Sequence, residues 1–127
     1  MPLVTLTVRK PKSAAFKRAV LDAVHGALVA AGVPEKDRFQ RVIELEEGDF
    51  VYDDRYPDLA SPRGPDFVVV EILLSVGRSV KVKRKLLADL LAAAAKDPGL
   101  DPEQVMVVFK ETQWENWAFG GGRIIHA

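Results

Sequence analysis

Two stretches of this 127-residue chain, about 2–47 and 67–112, repeat one another at a shift of 66 residues. The shift lays Ser13 on Ser79, Lys17-Arg18 on Lys83-Arg84, Leu21 on Leu87, and Leu3-Val4-Thr5-Leu6 on Val69-Val70-Glu71-Ile72. With a two-residue adjustment Pro34-Glu35 falls on Pro102-Glu103. A repeat of this length is one supersecondary unit used twice, so the fold must accommodate the same unit in duplicate.

Each unit reads as strand, helix, strand. Leu3 to Val8 alternates Val4 and Leu6 against Thr5 and Thr7, a strand with one wetter face. Ser13 is placed to cap a helix with Phe16, Val20, Val24, Ala27 and Ala31 on one face, which Gly32 and Pro34 stop. Phe39 to Leu45 reads as the second strand. In the other half Phe67 to Leu74 is a near-continuous apolar run, expected to be buried on both faces. Ser79 opens a helix with Val82, Leu86, Leu87, Leu90, Leu91 and Ala94 inward, stopped at Pro98-Gly99, and Val105 to Phe109 is the fourth strand. Between the halves, Gly48 to Asp66 reads as a loop with a short extended piece at Phe50-Val51-Tyr52, longer than a usual connection. Residues 113–127 form a Trp- and Gly-rich tail.

The expectation is one α+β domain: duplicated β-α-β units giving a four-stranded mixed sheet with two helices on one face. Strands within a unit should be parallel, because a helical crossover joins them. A ferredoxin-like sandwich and the tautomerase-type fold both satisfy this order.

Composition narrows the chemistry. Eighteen basic and eighteen acidic residues give zero formal charge, which argues against a nucleic-acid binder working by a global basic field. No cysteine is present, so disulfides, thiolate metal sites and a cysteine nucleophile are excluded. His25 and His126 are the two histidines, the second one residue from the end, so a zinc site or a serine–histidine–acid relay would have to be built almost entirely on His25. No metal and no cofactor are expected. No apolar stretch is long enough to span a membrane, and the first residues lack the pattern of a signal peptide, so a cytoplasmic protein is expected.

The candidate base is the chain terminus. Pro2 follows Met1 and directly precedes the first strand. Removal of Met1 by an aminopeptidase, expected before proline, would leave a secondary amine at the mouth of a sheet. Apolar surroundings and nearby cations disfavour the protonated form of such an amine, which brings it toward the range where a general base works best.

Several segments carry a resemblance: Pro2-Leu3-Val4, Asp22 to Val29, Gly32 to Gln40, Gly77-Arg78-Ser79 and Glu115-Asn116-Trp117-Ala118-Phe119-Gly120. In this order and spacing, they are similar to the tautomerase superfamily, closest to its malonate semialdehyde decarboxylase-like branch. The resemblance implies a homotrimer with active sites around the terminal prolines, and a small anionic 2-oxo acid, its enol, or a 3-oxo acid as substrate. Carried over by position, it implies Pro2 as the acid/base amine and Arg78 as the anchor of a substrate carboxylate, whose geometry a guanidinium fork suits. It implies Asp37 beside the proline, orienting water or a proton, and Trp117 and Phe119 as an aromatic wall. One position departs: Val76 stands where the decarboxylase motif has a second arginine, with Gly77 in place of a proline. One cation fewer favours keto–enol tautomerisation, which needs one amine and one anchor, over decarboxylation of a 3-oxo acid such as malonate semialdehyde. A non-catalytic protein of the same fold is the remaining alternative.

Other features read as structural. His25 lies one turn from Leu21 and Leu28 and reads as a half-buried helix histidine. Lys81, Lys83, Arg84 and Lys85 read as a solvated face. Asp53, Asp54 and Asp58 match no cation loop. Gly120-Gly121-Gly122 lacks the setting of a phosphate loop and lets the tail turn.

Overall fold

A computed structural model describes residues 1–125; His126 lies outside the described residues. Four strands and two long helices follow the expected order: β1 (Leu3–Arg9), α1 (Ala14–Ala30), β2 (Phe39–Leu45), β3 (Val68–Ser75), α2 (Val80–Lys96) and β4 (Val105–Thr112). Both helices start where a serine satisfies an orphan amide. Ser13 Oγ accepts from Phe16 N and Ser79 Oγ from Val82 N. Helix α1 ends with Ala31 as its cap and Gly32 just beyond, at φ +105°, in the left-handed conformation that closes many helices.

The sheet order is β2-β1-β3-β4. β1 runs parallel to β2 and β3 parallel to β4, while β1 and β3 meet antiparallel. Leu3 therefore has Phe39 on one side and Leu73 on the other. One face of the sheet carries the core: Val4, Leu6 and Val8 of β1 and Val68, Val70, Ile72 and Leu74 of β3 are buried against Val20, Val24 and Leu28 of α1 and Leu86 and Leu90 of α2.

Because both helices cover that single face, β3 is not buried on both sides as its apolar run suggests. Val69, Glu71 and Leu73 alternate with the core residues and stay half-buried on the open face. That face also holds Thr5, whose Oγ1 accepts from Arg41 Nε at 2.9 Å, and the Lys110–Glu71 ion pair at 2.9 Å. β4 runs three residues past Phe109, because Lys110, Glu111 and Thr112 continue the ladder opposite Leu73, Leu74 and Ser75. Edge position leaves the charged pair free to reach water.

The long loop holds no strand at 50–52. Instead Phe50 and Tyr52 pack on Phe67, with ring centroids 4.5 to 5.7 Å apart, and Arg9 lies 4.5 Å over the Tyr52 ring. Tyr52 Oη also donates to Gly64 O at 2.8 Å. Its length is thus explained by packing at the sheet end that carries Arg9.

Candidate active site

The opposite sheet end gathers the chain segments that the sequence singled out. β1 and β2 begin there, and β3 and β4 end there. Continuing the β1–β2 register by two residues places Met1 opposite Asp37, and the contact is made: the terminal ammonium donates to Asp37 Oδ2 at 2.6 Å. Both side chains are largely enclosed, at 5% and 17% exposure. Pro2 is buried. With Met1 attached its nitrogen is an amide, with no basic lone pair.

Asp37 is held by its backbone as well as by its charge. Its N–H donates to Pro34 O at 3.0 Å, within the turn between α1 and β2. His25 anchors the same turn, with Nε2 2.8 Å from Glu35 O, so Nε2 carries the proton there. His25 is more deeply placed than a half-buried residue, at 7% exposure. Beside Asp37, Arg38 donates to Asp22 Oδ1 at 2.6 Å, and this bond holds the Asp22 carboxyl below the usual carboxylate range.

Arg78 lies in the turn after β3. Gly77 takes φ +121°, a backbone conformation open to glycine and strained for other residues, and so turns the chain sharply ahead of Arg78. The guanidinium donates to Ser75 O at 3.3 Å and has no carboxylate partner among the described residues. It is half-buried and lies one residue before the Ser79 cap of α2. A fork of N–H donors beside a helix N-terminus is suited to an anion.

After β4 the tail turns back over the sheet. Trp117 and Phe119 stack with centroids 5.8 Å apart and planes 7° from parallel, and Phe119 lies 5.8 Å from Phe39. Together with Leu3 and Ala118 they line a pocket of about 200 Å³. The structure thus places Pro2, Asp37, Trp117 and Phe119 around the start of β1, with Arg78 bonded to the end of β3 beside it.

Three buried polar atoms at this end have no hydrogen-bond partner among the described residues: Asp37 Oδ1, Ser75 Oγ and Trp117 Nε1. Buried polar groups are ordinarily paired, so each of these atoms keeps hydrogen-bonding capacity that the described residues do not use. Terminal amine, carboxylate, guanidinium and aromatic pair thus stand at one end of the sheet.

A family model described as tautomerase enzyme matches residues 37–120, which hold Asp37, Arg78, Trp117 and Phe119. The chain belongs to the tautomerase family. It is 27% identical over 124 residues to the probable tautomerase YusQ of Bacillus subtilis strain 168, covering 97% of this chain and 96% of that protein. Among solved structures, it superposes on malonate semialdehyde decarboxylase with a TM-score of 0.87 and 32% identity, covering 96% of this chain and 93% of that one. A second malonate semialdehyde decarboxylase, from FG41 and inhibited by 3-bromopropiolate, gives 0.87 at 27% identity over 96% and 92%. A fused 4-OT symmetric trimer shares the fold at a TM-score of 0.74 and 22% identity, over 95% and 94%. The decarboxylase-like branch is therefore where this tautomerase-family chain sits.

The remaining sequence features fall outside this site or in supporting roles. Lys83 pairs with Glu111 at 2.9 Å and Lys85 with Asp89 at 2.6 Å, as a solvated helix face does. Asp53 accepts from the backbone N–H groups of Arg55 and Tyr56, which lowers its carboxyl below the usual range and commits it to a turn. Sequence reasoning missed Leu3 and Phe39, which floor the pocket, and Ser75. Their signal was the register, which no local pattern reveals.

Proposed function

We propose that this protein is a cofactor-independent keto–enol tautomerase of small 2-oxo acids, active after Met1 is removed. The observation that carries the reading is the enclosed terminal ammonium on Asp37 at 2.6 Å, an amine paired with a carboxylate at the sheet end where Leu3 and Phe39 floor an aromatic pocket. Removal of one residue transfers the role of terminus to the buried Pro2. Its neutral amine takes a proton from C3 of the bound 2-oxo acid, leaving an enolate with its charge on the C2 oxygen. A proton delivered to that oxygen gives the enol, and the reverse steps regenerate the keto acid. Arg78, which lacks a carboxylate partner among the described residues, anchors the substrate carboxylate. Asp37 orients the amine and the proton in transit, and Trp117 with Phe119 walls the pocket against water.

The test is a panel of enolpyruvates assayed with the mature protein, its processing verified by intact mass, and with Pro2→Ala and Arg78→Ala. Both variants are expected to lose activity, Pro2→Ala in kcat and Arg78→Ala chiefly in KM. Unchanged rates in both end the catalytic reading.

The likeness to malonate semialdehyde decarboxylase, at 32% identity, supports a second reading, a lyase acting on a 3-oxo acid. There a cationic Pro2 would protonate the carbon that loses carbon dioxide. Val76 in place of a second arginine weighs toward tautomerisation, and product analysis with malonate semialdehyde separates the two. We also take the working form to be a homotrimer, on the resemblance and on the half-buried apolar residues of the open sheet face. Light scattering at about three times the chain's mass is the expected result.

A further inference from the structure

We propose that Ser75 is the hydrogen-bond donor to the C2 oxygen of the substrate, the atom on which negative charge collects when the proton leaves C3. The inference rests on the tautomerase reading above and adds to it a residue that stabilises the enolate.

Ser75 is the last residue of β3 and is 1% exposed. Its hydroxyl finds no partner among the described residues, although its own carbonyl is held by Arg78. A buried hydroxyl without a partner gives up its bonds to water and receives nothing in return. Two neighbouring hydroxyls on this face are committed: Thr5 Oγ1 accepts from Arg41 and Thr112 Oγ1 from Asn116.

Its place in the sheet says what it faces. The antiparallel β1–β3 register pairs Leu3 with Leu73, and two further residues place Met1 opposite Ser75. Directly opposed residues of an antiparallel pair share one face of the sheet. Thus Met1 stands between Asp37 on the β2 side and Ser75 on the β3 side, with its side chain enclosed at 5% exposure. Removal of Met1 uncovers the Ser75 hydroxyl on one flank of the space and Asp37 on the other. Arg78 binds the substrate carboxylate from a position bonded to Ser75, so the adjacent C2 oxygen comes to the serine. The proline amine then lies toward C3. Val76 leaves this flank without a second cation, and the neutral hydroxyl supplies the donor that an enolate oxygen requires.

The experiment uses Ser75→Ala in the mature protein, beside wild type, Pro2→Ala and Arg78→Ala, on the enolpyruvate that turns over best. Loss of one preorganised donor to a developing oxyanion is worth about 10²-fold or more. Ser75→Ala is expected to lower kcat by that factor, leave KM within about threefold, and hold or raise Tm, since it deletes an unpaired buried group. Wild-type kcat in Ser75→Ala, with Pro2→Ala inactive, overturns the assignment and leaves the tautomerase reading standing. A fall of kcat together with Tm also overturns it, because the serine would then be structural. Wild-type rates in Pro2→Ala, Arg78→Ala and Ser75→Ala alike overturn both.

Discussion

Gly77 and Gly26 form a matched pair for testing how the turn before Arg78 is held. A Cβ added at either position meets no atom within 4 Å, so neither substitution creates or removes a contact. What differs is the backbone. Gly26 lies on the exposed side of α1, where alanine gains about 0.5–1 kcal/mol over glycine by restricting the unfolded chain. Gly77 holds φ +121°, where a side chain costs roughly 1–3 kcal/mol. At roughly 3–6 °C per kcal/mol for a domain of this size, Gly26→Ala should raise Tm by about 2–6 °C and Gly77→Ala lower it by about 3–18 °C. Circular dichroism melts of the two variants measure this directly. Steady-state kinetics supply the functional half. Gly77→Ala relaxes strain by moving Arg78, so KM for an enolpyruvate should rise several-fold, while Gly26→Ala keeps the wild-type KM. Tm shifts of the same sign in both variants would refute the claim that backbone conformation, not contact, fixes this turn.

Three further outcomes follow from the bonds around the site. His25→Leu removes the donor to Glu35 O, and urea midpoints at unchanged m-value should report a loss of about 1–2 kcal/mol; an unchanged midpoint would show that water satisfies this carbonyl equally well. Trp117→Ala removes a stacked partner of Phe119, and KM should rise more for an aryl enolpyruvate than for a methyl-substituted one; equal increases would place the rings outside the pocket. Asp22 has its carboxyl pulled down by Arg38, so its stabilisation is present above the ordinary carboxylate range and is lost as pH falls through the depressed folded value. Asp22→Asn should therefore lower Tm near neutrality by less than about 1 kcal/mol equivalent, since the group is over half exposed, with the deficit vanishing in strong acid. A deficit constant from neutral to acid pH would mean that shape, not charge, matters there.

The succession of strands and helices along the chain, and the helix starts, were readable because they are local. Ser13 and Ser79 announce two helices, and alternation at Val4, Leu6 and Val8 names the core face of β1. What stayed hidden depends on tertiary placement. The run Val68–Leu74 looks buried throughout, since an apolar residue such as Leu73 reads the same whether a helix or open space lies over it. Phe50 and Tyr52 were placed in an extended piece because ring packing on Phe67 has no period. The strand β4 seemed to stop at Phe109, since Lys110 and Glu111 carry charge that an edge tolerates. At the site, Pro2 was marked by its place between Met1 and the first strand, while Asp37 and Arg78 came from resemblance, as nothing in their immediate neighbours marks them. Ser75 lies just past the apolar run Phe67 to Leu74, and no local pattern marks it. Only the register brings residues 1, 37 and 75 into one row.

Every residue proposed for chemistry, Ser75 excepted, lies just outside the ladder: Pro2 before β1, Asp37 before β2, Arg78 after β3, and Trp117 and Phe119 after β4. None belongs to the apolar cluster beneath the helices. Reactivity and folding are therefore written in separate letters of the sequence. Four short segments at one rim can be rewritten, Val76 to arginine among them, without touching a core side chain. A scaffold organised in this way can acquire a different reaction in few mutational steps that leave the core packing intact, provided turn glycines such as Gly77 are kept, and for the same reason serves as a host for grafted rims.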